Sequence, residues 1–289
     1  MHAEQIGASV ACLPEMNLAE AVDHLLGLGV GAVEILGFEN SRHSQGLLPG
    51  LWFHSAPQDR LERLRGQLAR ATHVSIHAPF MNHPLICTDP EIAAVARQRA
   101  RESIDACAFL GGTVCVVHIT PKPGFAWDDC RGEAREALRE LAHYSAERNV
   151  RVGVETGFPP SVREFCDFIH FLDHAHLGCT LDIGHLRSAM DPRLLGTPEA
   201  AGVYNANLDA ICRDLGDRLF SLHLHNVRAS DWRDHRGLES GLIDVPRLFG
   251  NLREIGFGGP AVLELEEPDV QPALLRSLAC ARQAVDTLR

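Results

Sequence analysis

The sequence predicts an α/β fold, a closed (β/α)8 barrel forming one domain over residues 1–289, and three observations predict it. Eight short runs suited to buried strands alternate with stretches of helical period along the chain. Alternation of this kind builds a parallel sheet, and eight such units within 289 residues close it into a barrel. No glycine-rich phosphate fingerprint follows the first strand, which argues against the rival doubly wound sheet.

The first strand is read at IGASVA, residues 6–11, ahead of a helix whose start is marked by Asn17. Glu20 stands at the capping-box position, and Leu18, Ala21, Val22, Leu25 and Leu26 make a buried stripe that Gly27 and Gly29 end. AVEIL (32–36) is the second strand. The loop from Phe38 to Asp59, carrying Trp52, Phe53 and His54, has the length of a lid. HVSIH (73–77) is the third strand. Asp89-Pro90-Glu91 opens the next helix, a cap followed by proline in the first turn, and Gly111-Gly112 ends it before VCVVH (114–118). The last four strands are RVGVE (151–155), LGCTLD (177–182), LFSLH (219–223) and AVLEL (261–265).

Composition narrows the function classes. A net charge of −11 argues against a broad nucleic-acid footprint. No apolar run reaches the roughly 18 residues of a membrane span, and MHAEQIGASV lacks the basic start and apolar stretch of a secretory signal. Nine cysteines, an odd number without a CxxC pair, sit in apolar segments (Cys107, Cys115, Cys179) and predict reduced thiols in a cytoplasmic protein. The sequence leaves homo-oligomerisation open.

The 16 histidines matter by position. Strands three to seven end on His77, His118, Glu155, Asp182 and His223, and Glu264 sits near the end of the eighth. Six consecutive strands thus deliver a histidine or carboxylate to the C-terminal mouth, where barrel enzymes build their sites. Clustered carboxylates repel one another and resist desolvation, so a bound divalent cation is expected. Nitrogen and oxygen donors without thiolate suit Zn, Mn, Co or Mg. In TLDIGHL, Asp182 and His185 are three apart across a strand-to-helix turn, close enough to face one centre. The loop after strand seven, HNVRASDWRDHRGLESG, places His235 among arginines, and His225 is read as a supporting or solvent residue beyond the strand. Arg228, Arg233 and Arg236 in that loop are either anion-binding groups or solvated loop charges.

HAPF after strand three, VVHxxP, VExG, LDxGH, HLHN and the final LE before a proline resemble the xylose isomerase-like TIM barrel superfamily, also called AP endonuclease family 2. Its members include ketose 3-epimerases, hydroxypyruvate isomerase, inosose dehydratase and endonuclease IV. The resemblance to the epimerases implies one divalent metal held by Glu155, Asp182, His223 and Glu264, with the two glutamates as the acid/base pair and His185 on the substrate. The resemblance to endonuclease IV extends the ligands to His77, His118, His185 and His235 around three zinc ions. The seventh loop departs from the endonuclease pattern: Arg233-Asp234-His235 replaces Asp-x-His, and Glu239-Ser240-Gly241 replaces Gly-Glu-Gly. Either Asp231 or Asp234 remains a candidate ligand there.

Two functions follow as expectations. The first is a metal-dependent isomerase or epimerase of a small sugar or related hydroxy-ketone acting through an ene-diolate, with His77, His118, His185, Arg228 and Trp52 on the substrate. The alternative is a phosphodiester hydrolase with two or three metals, or a lyase or dehydratase using the same site.

Overall fold

The computed structural model describes residues 1–39, 41–43 and 46–287. Eight parallel strands close in chain order: β1 (Ile6–Ser9), β2 (Ala32–Leu36), β3 (His73–His77), β4 (Val114–Val117), β5 (Arg151–Glu155), β6 (Leu177–Asp182), β7 (Leu219–Leu224) and β8 (Ala261–Leu263). β8 pairs back onto β1, so the barrel has no edge strand. Outside it lie α1 (Leu18–Gly27), α2 (Gln58–Leu68), α3 (Pro90–Phe109), α4 (Trp127–Ala146), α5 (Val162–Leu172), α6 (Glu199–Leu215), α7 (Val245–Glu254) and α8 (Val270–Asp286).

The local signals act as their chemistry requires. Asn17 accepts from the Glu20 amide at 3.0 Å while the Glu20 carboxylate accepts from the Asn17 amide at 3.3 Å, closing the capping box of α1. The stripe Leu18, Ala21, Val22, Leu25 and Leu26 is buried against the barrel, each large aliphatic side chain contributing about 1.5–3 kcal/mol of transfer free energy. Asp89 caps α3 with Pro90 in its first turn.

Strand ends differ from expectation in four places, by one residue at β4, which stops at Val117 before His118, and at β7, which runs on to Leu224, and by two residues at β1 and β8. β1 stops at Ser9 because its hydroxyl accepts from the Ala11 amide and starts a 3-10 turn, Val10–Cys12. β8 ends at Leu263, although the Glu264 amide still donates to the Leu224 carbonyl at 3.1 Å and so carries the next residue along the wall.

Inside the barrel apolar and polar side chains are combined. Register slips by one residue between β6 and β7 at Cys179/Thr180, and the extra residue is Phe220. It packs with Val114 and Val116 in a small apolar cluster. Buried polar side chains also pair across neighbouring strands. Ser75 donates to Glu34, and Thr180 and Ser221 share a hydrogen bond of 2.7 Å. Barrel interiors are usually dominated by branched aliphatics, so these buried polar pairs depart from the usual filling.

Of the expected lid, residues 40, 44 and 45 lie outside the described residues. Arg42–His43 pairs antiparallel with Gly46–Leu47, and Phe38 and Leu48 reach the barrel mouth.

Candidate metal centre

Asp182 ends β6 and is fully buried. Its Oδ1 accepts from the amides of Gly184 (2.9 Å) and His185 (2.8 Å), folding LDIGH into a tight turn. Tyr204 of α6 donates to the carbonyls of Ile183 and Gly184, both at 2.8 Å, and pins that turn. His225 Nδ1 accepts from the backbone amide of His235 at 2.9 Å, a group that can only donate, so the ring proton sits on Nε2. Nε2–H therefore donates to Asp182, 2.9 Å from both oxygens. Both nitrogens of His225 are engaged, and it braces Asp182. Gly184 is required beneath it, since a Cβ there would stand 2.0 Å from His225 Cε1.

His223 on β7 is fully buried and presents Nδ1 to three carboxylates. Glu264 lies at 3.2 Å, Glu155 at 3.7 Å and Asp182 at 3.7 Å. This Nδ1 has no hydrogen-bond partner. A buried imidazole nitrogen facing three carboxylates is the donor set of a cation site. Burial alone would raise the Glu155 carboxyl, but His118 and His223 outweigh it and hold it well below the usual carboxylate range. Glu264 is likewise raised by burial and lowered further by His223 and His235, to about 2.

Three more histidines crowd Glu155. His118 Nε2 is 2.8 Å and His77 Nε2 3.1 Å from its Oε2, and the two ring nitrogens are 3.2 Å apart. His77 Nδ1–H donates to the Ala78 carbonyl at 2.9 Å, which turns Nε2 inward. His185 Nδ1 stands 3.0 Å from the Thr156 carbonyl and 3.1 Å from Glu155 Oε1, leaving its Nε2 for the pocket. Burial would lower the imidazoliums of His77 and His185, but neighbouring carboxylates (Glu155 for His77, Asp182 and Glu155 for His185) raise each to about 9. At the seventh loop, His185, Asp234 and His235 bring ligand atoms within 4.8 Å of one another.

Part of this cluster opens onto a pocket of about 220 Å³, while Asp182 and His223 are fully buried and do not line it. His77, His118, Glu155, His185, His235, Glu264 and Glu266 supply its polar side, and Ala11, Leu36, Phe38, Leu48, Phe80 and Leu265 its apolar wall. A model of the xylose isomerase-like TIM barrel family matches residues 22–288. The chain belongs to this family. It is 24% identical over 204 residues to an L-ribulose 3-epimerase from Methylomonas sp., covering 67% of this chain and 64% of that one. An uncharacterised protein from Methanocaldococcus jannaschii is 22% identical over 216 residues, 70% of this chain and 66% of that one. The chain thus spans just under two thirds of the length of these curated relatives. Among solved structures, a D-tagatose 3-epimerase-like protein superposes with a TM-score of 0.72 at 17% identity, covering 97% of this chain and 99% of that one.

For this xylose isomerase-like barrel, not every expected site residue comes to the pocket. Trp52 packs against His54 and His83, with ring centroids 5.7 and 5.6 Å away, and does not line it. Arg228 is exposed and bound to Asp231, which removes both as pocket groups. Arg236 is buried against Glu267 and backbone carbonyls, and Arg187 holds Asp234. Asp234, not Asp231, is therefore the loop carboxylate beside His235, at 3.4 Å. One buried group escaped the sequence reading altogether: Glu34, in the middle of β2, whose Oε2 is 3.3 Å from His223 Nε2. The available signal was a lone carboxylate inside an otherwise apolar strand.

Proposed function

We propose that this family member is a divalent-metal-dependent epimerase or isomerase of a small ketose or related hydroxy-ketone. The carrying observation is the convergence of Glu155 from β5 and Glu264 from just past β8 on the unpartnered Nδ1 of His223, the two glutamates lining a pocket whose remaining wall is largely apolar. The donor set fits a cation: three carboxylates and one imidazole nitrogen, with no thiolate, suit Mn, Co, Mg or Zn. A divalent ion held by Glu155, Asp182, His223 and Glu264 would polarise a carbonyl and its neighbouring hydroxyl and acidify the C–H between them. Glu155 and Glu264, both held ionised by their histidines, are the groups that take and return that proton. His77 and His118 orient Glu155 through their ring nitrogens, and His185 turns Nε2 toward substrate hydroxyls. Phe38, Leu48, Phe80 and Leu265 keep water from the ene-diolate. The likeness to the L-ribulose and D-tagatose-type epimerases supports this reading.

A phosphodiester hydrolase with more than one metal is the second reading, favoured by the meeting of His77 and His118 on Glu155. Against it, no arginine or lysine lines the pocket among the described residues, and half of its wall is apolar. The test is NMR analysis of free ketoses incubated with the protein and Mn2+, Co2+ or Mg2+. The proposal expects an epimeric or isomeric ketose that disappears on chelation. Hydrolysis of a phosphodiester with no turnover of any ketose would overturn it.

A further inference from the structure

Glu34 is 0% exposed and sits inside the barrel, in register with Ser75 of β3. Its Oε2 accepts from Ser75 Oγ at 2.9 Å and lies 3.3 Å from Nε2 of His223, which arrives from β7 on a different part of the wall. Its Oε1 has no hydrogen-bond partner. A carboxylate so placed costs more in desolvation than one serine and one imidazole return, and an aliphatic residue of similar volume would pack there more stably. Its presence therefore calls for a role other than stability.

The geometry of the opposite ring edge supplies one. An imidazole has two nitrogens, and when neutral only one carries a proton. With Nε2–H directed at Glu34, the lone pair is left on Nδ1, the nitrogen that faces Glu264, Glu155 and Asp182. A carboxylate behind a histidine in this way fixes the tautomer and ring orientation and strengthens the nitrogen as a donor. We propose that Glu34 is a positioning residue for the metal centre, holding His223 so that Nδ1 is presented to the ring of carboxylates. The role rests on the reading of those carboxylates as a metal site. Glu34 lies outside the pocket lining, and its carboxylate comes within 4.8 Å of ligand atoms of both His223 and Glu264.

The test uses the full chain, Zn2+ as the probe, and two variants, Glu34→Leu and Glu34→Gln. Three quantities are read: Zn2+ affinity by competition with a chromophoric chelator, the 15N shifts of His223 in the Zn2+-loaded protein, and the melting temperature of the metal-free protein. The wild type should bind Zn2+ with Nδ1 shifted by the metal and Nε2 protonated. Glu34→Leu should lose about 10–100-fold in Zn2+ affinity without a lower melting temperature. Glu34→Gln, whose carbonyl still accepts from Nε2–H, should restore the tautomer and most of the affinity. A wild-type spectrum with the metal on Nε2 overturns the proposal even if Glu34→Leu fails to fold. Unchanged affinity in a folded Glu34→Leu overturns it too while leaving the metal centre intact, whereas absence of Zn2+ binding by the wild type overturns both.

Discussion

At the scale of single residues, the mouth of the barrel is a balance between carboxylates and imidazoles that a cation would replace. In metal-free protein His77 and His185 titrate at about 9, against about 6.5 for a histidine in the unfolded chain. Each is raised on folding, so each contributes stability that is full below about pH 6.5 and is lost as pH rises toward 9. The melting temperature of chelator-treated protein should therefore fall between those pH values, and metal-loaded protein should follow that fall far less. A flat or rising melting temperature of the stripped protein over this window would contradict the assignment of charges. The same two-sided geometry sets apart the roles of His77 and His118. If they orient Glu155 and substrate, replacing both with Ala lowers turnover or raises KM yet leaves one equivalent of metal bound. Loss of metal stoichiometry in that double variant would mark them as ligands and favour the hydrolase reading.

At the scale of elements, the strands were legible because each is a short, largely apolar run between helical stretches, and β3, β5 and β6 also end on a polar residue. AVEIL, HVSIH, RVGVE and LGCTLD match β2, β3, β5 and β6 in both bounds. β1 was overextended because the serine that ends it does so through a side-chain bond invisible to apolar patterning. Glu34 was missed for a related reason. Attention to strand ends passes over a carboxylate in mid-strand, and its partners Ser75 and His223 are 41 and 189 residues away in sequence. The choice of Asp234 over Asp231 depended on which arginine each one meets, again a long-range matter. Glu264 and Glu266 share alternation in AVLELEEP, and two residues of extended chain move a side chain by roughly 6.5 Å. The structure sets Glu264 3.2 Å from His223 Nδ1, while Glu266 lines the pocket farther out and its amide donates to the His235 carbonyl. Glu264→Gln should lower solvent-deuterium exchange into a ketose by at least about 100-fold, the usual weight of a positioned acid or base, and Glu266→Gln by far less. Equal losses would place the acid/base role on the wrong residue of this strand.

For the whole molecule, the barrel interior combines an apolar cluster of Phe220, Val114 and Val116 with buried polar pairs, Glu34 with Ser75 and Thr180 with Ser221. Glu155, Glu264 and four histidines line the pocket together with apolar residues. Because the four candidate ligands stand on or just past four different strands, their convergence depends on closure of the barrel and on the register of β5 through β8. Whether Glu155, Asp182, His223 and Glu264 form one metal centre is read from the metal content of wild type and Asp182→Ala by elemental analysis, with circular dichroism to check the fold. Wild-type protein should carry bound divalent metal and folded Asp182→Ala none. Full metal occupancy in that variant would rule out this ligand set.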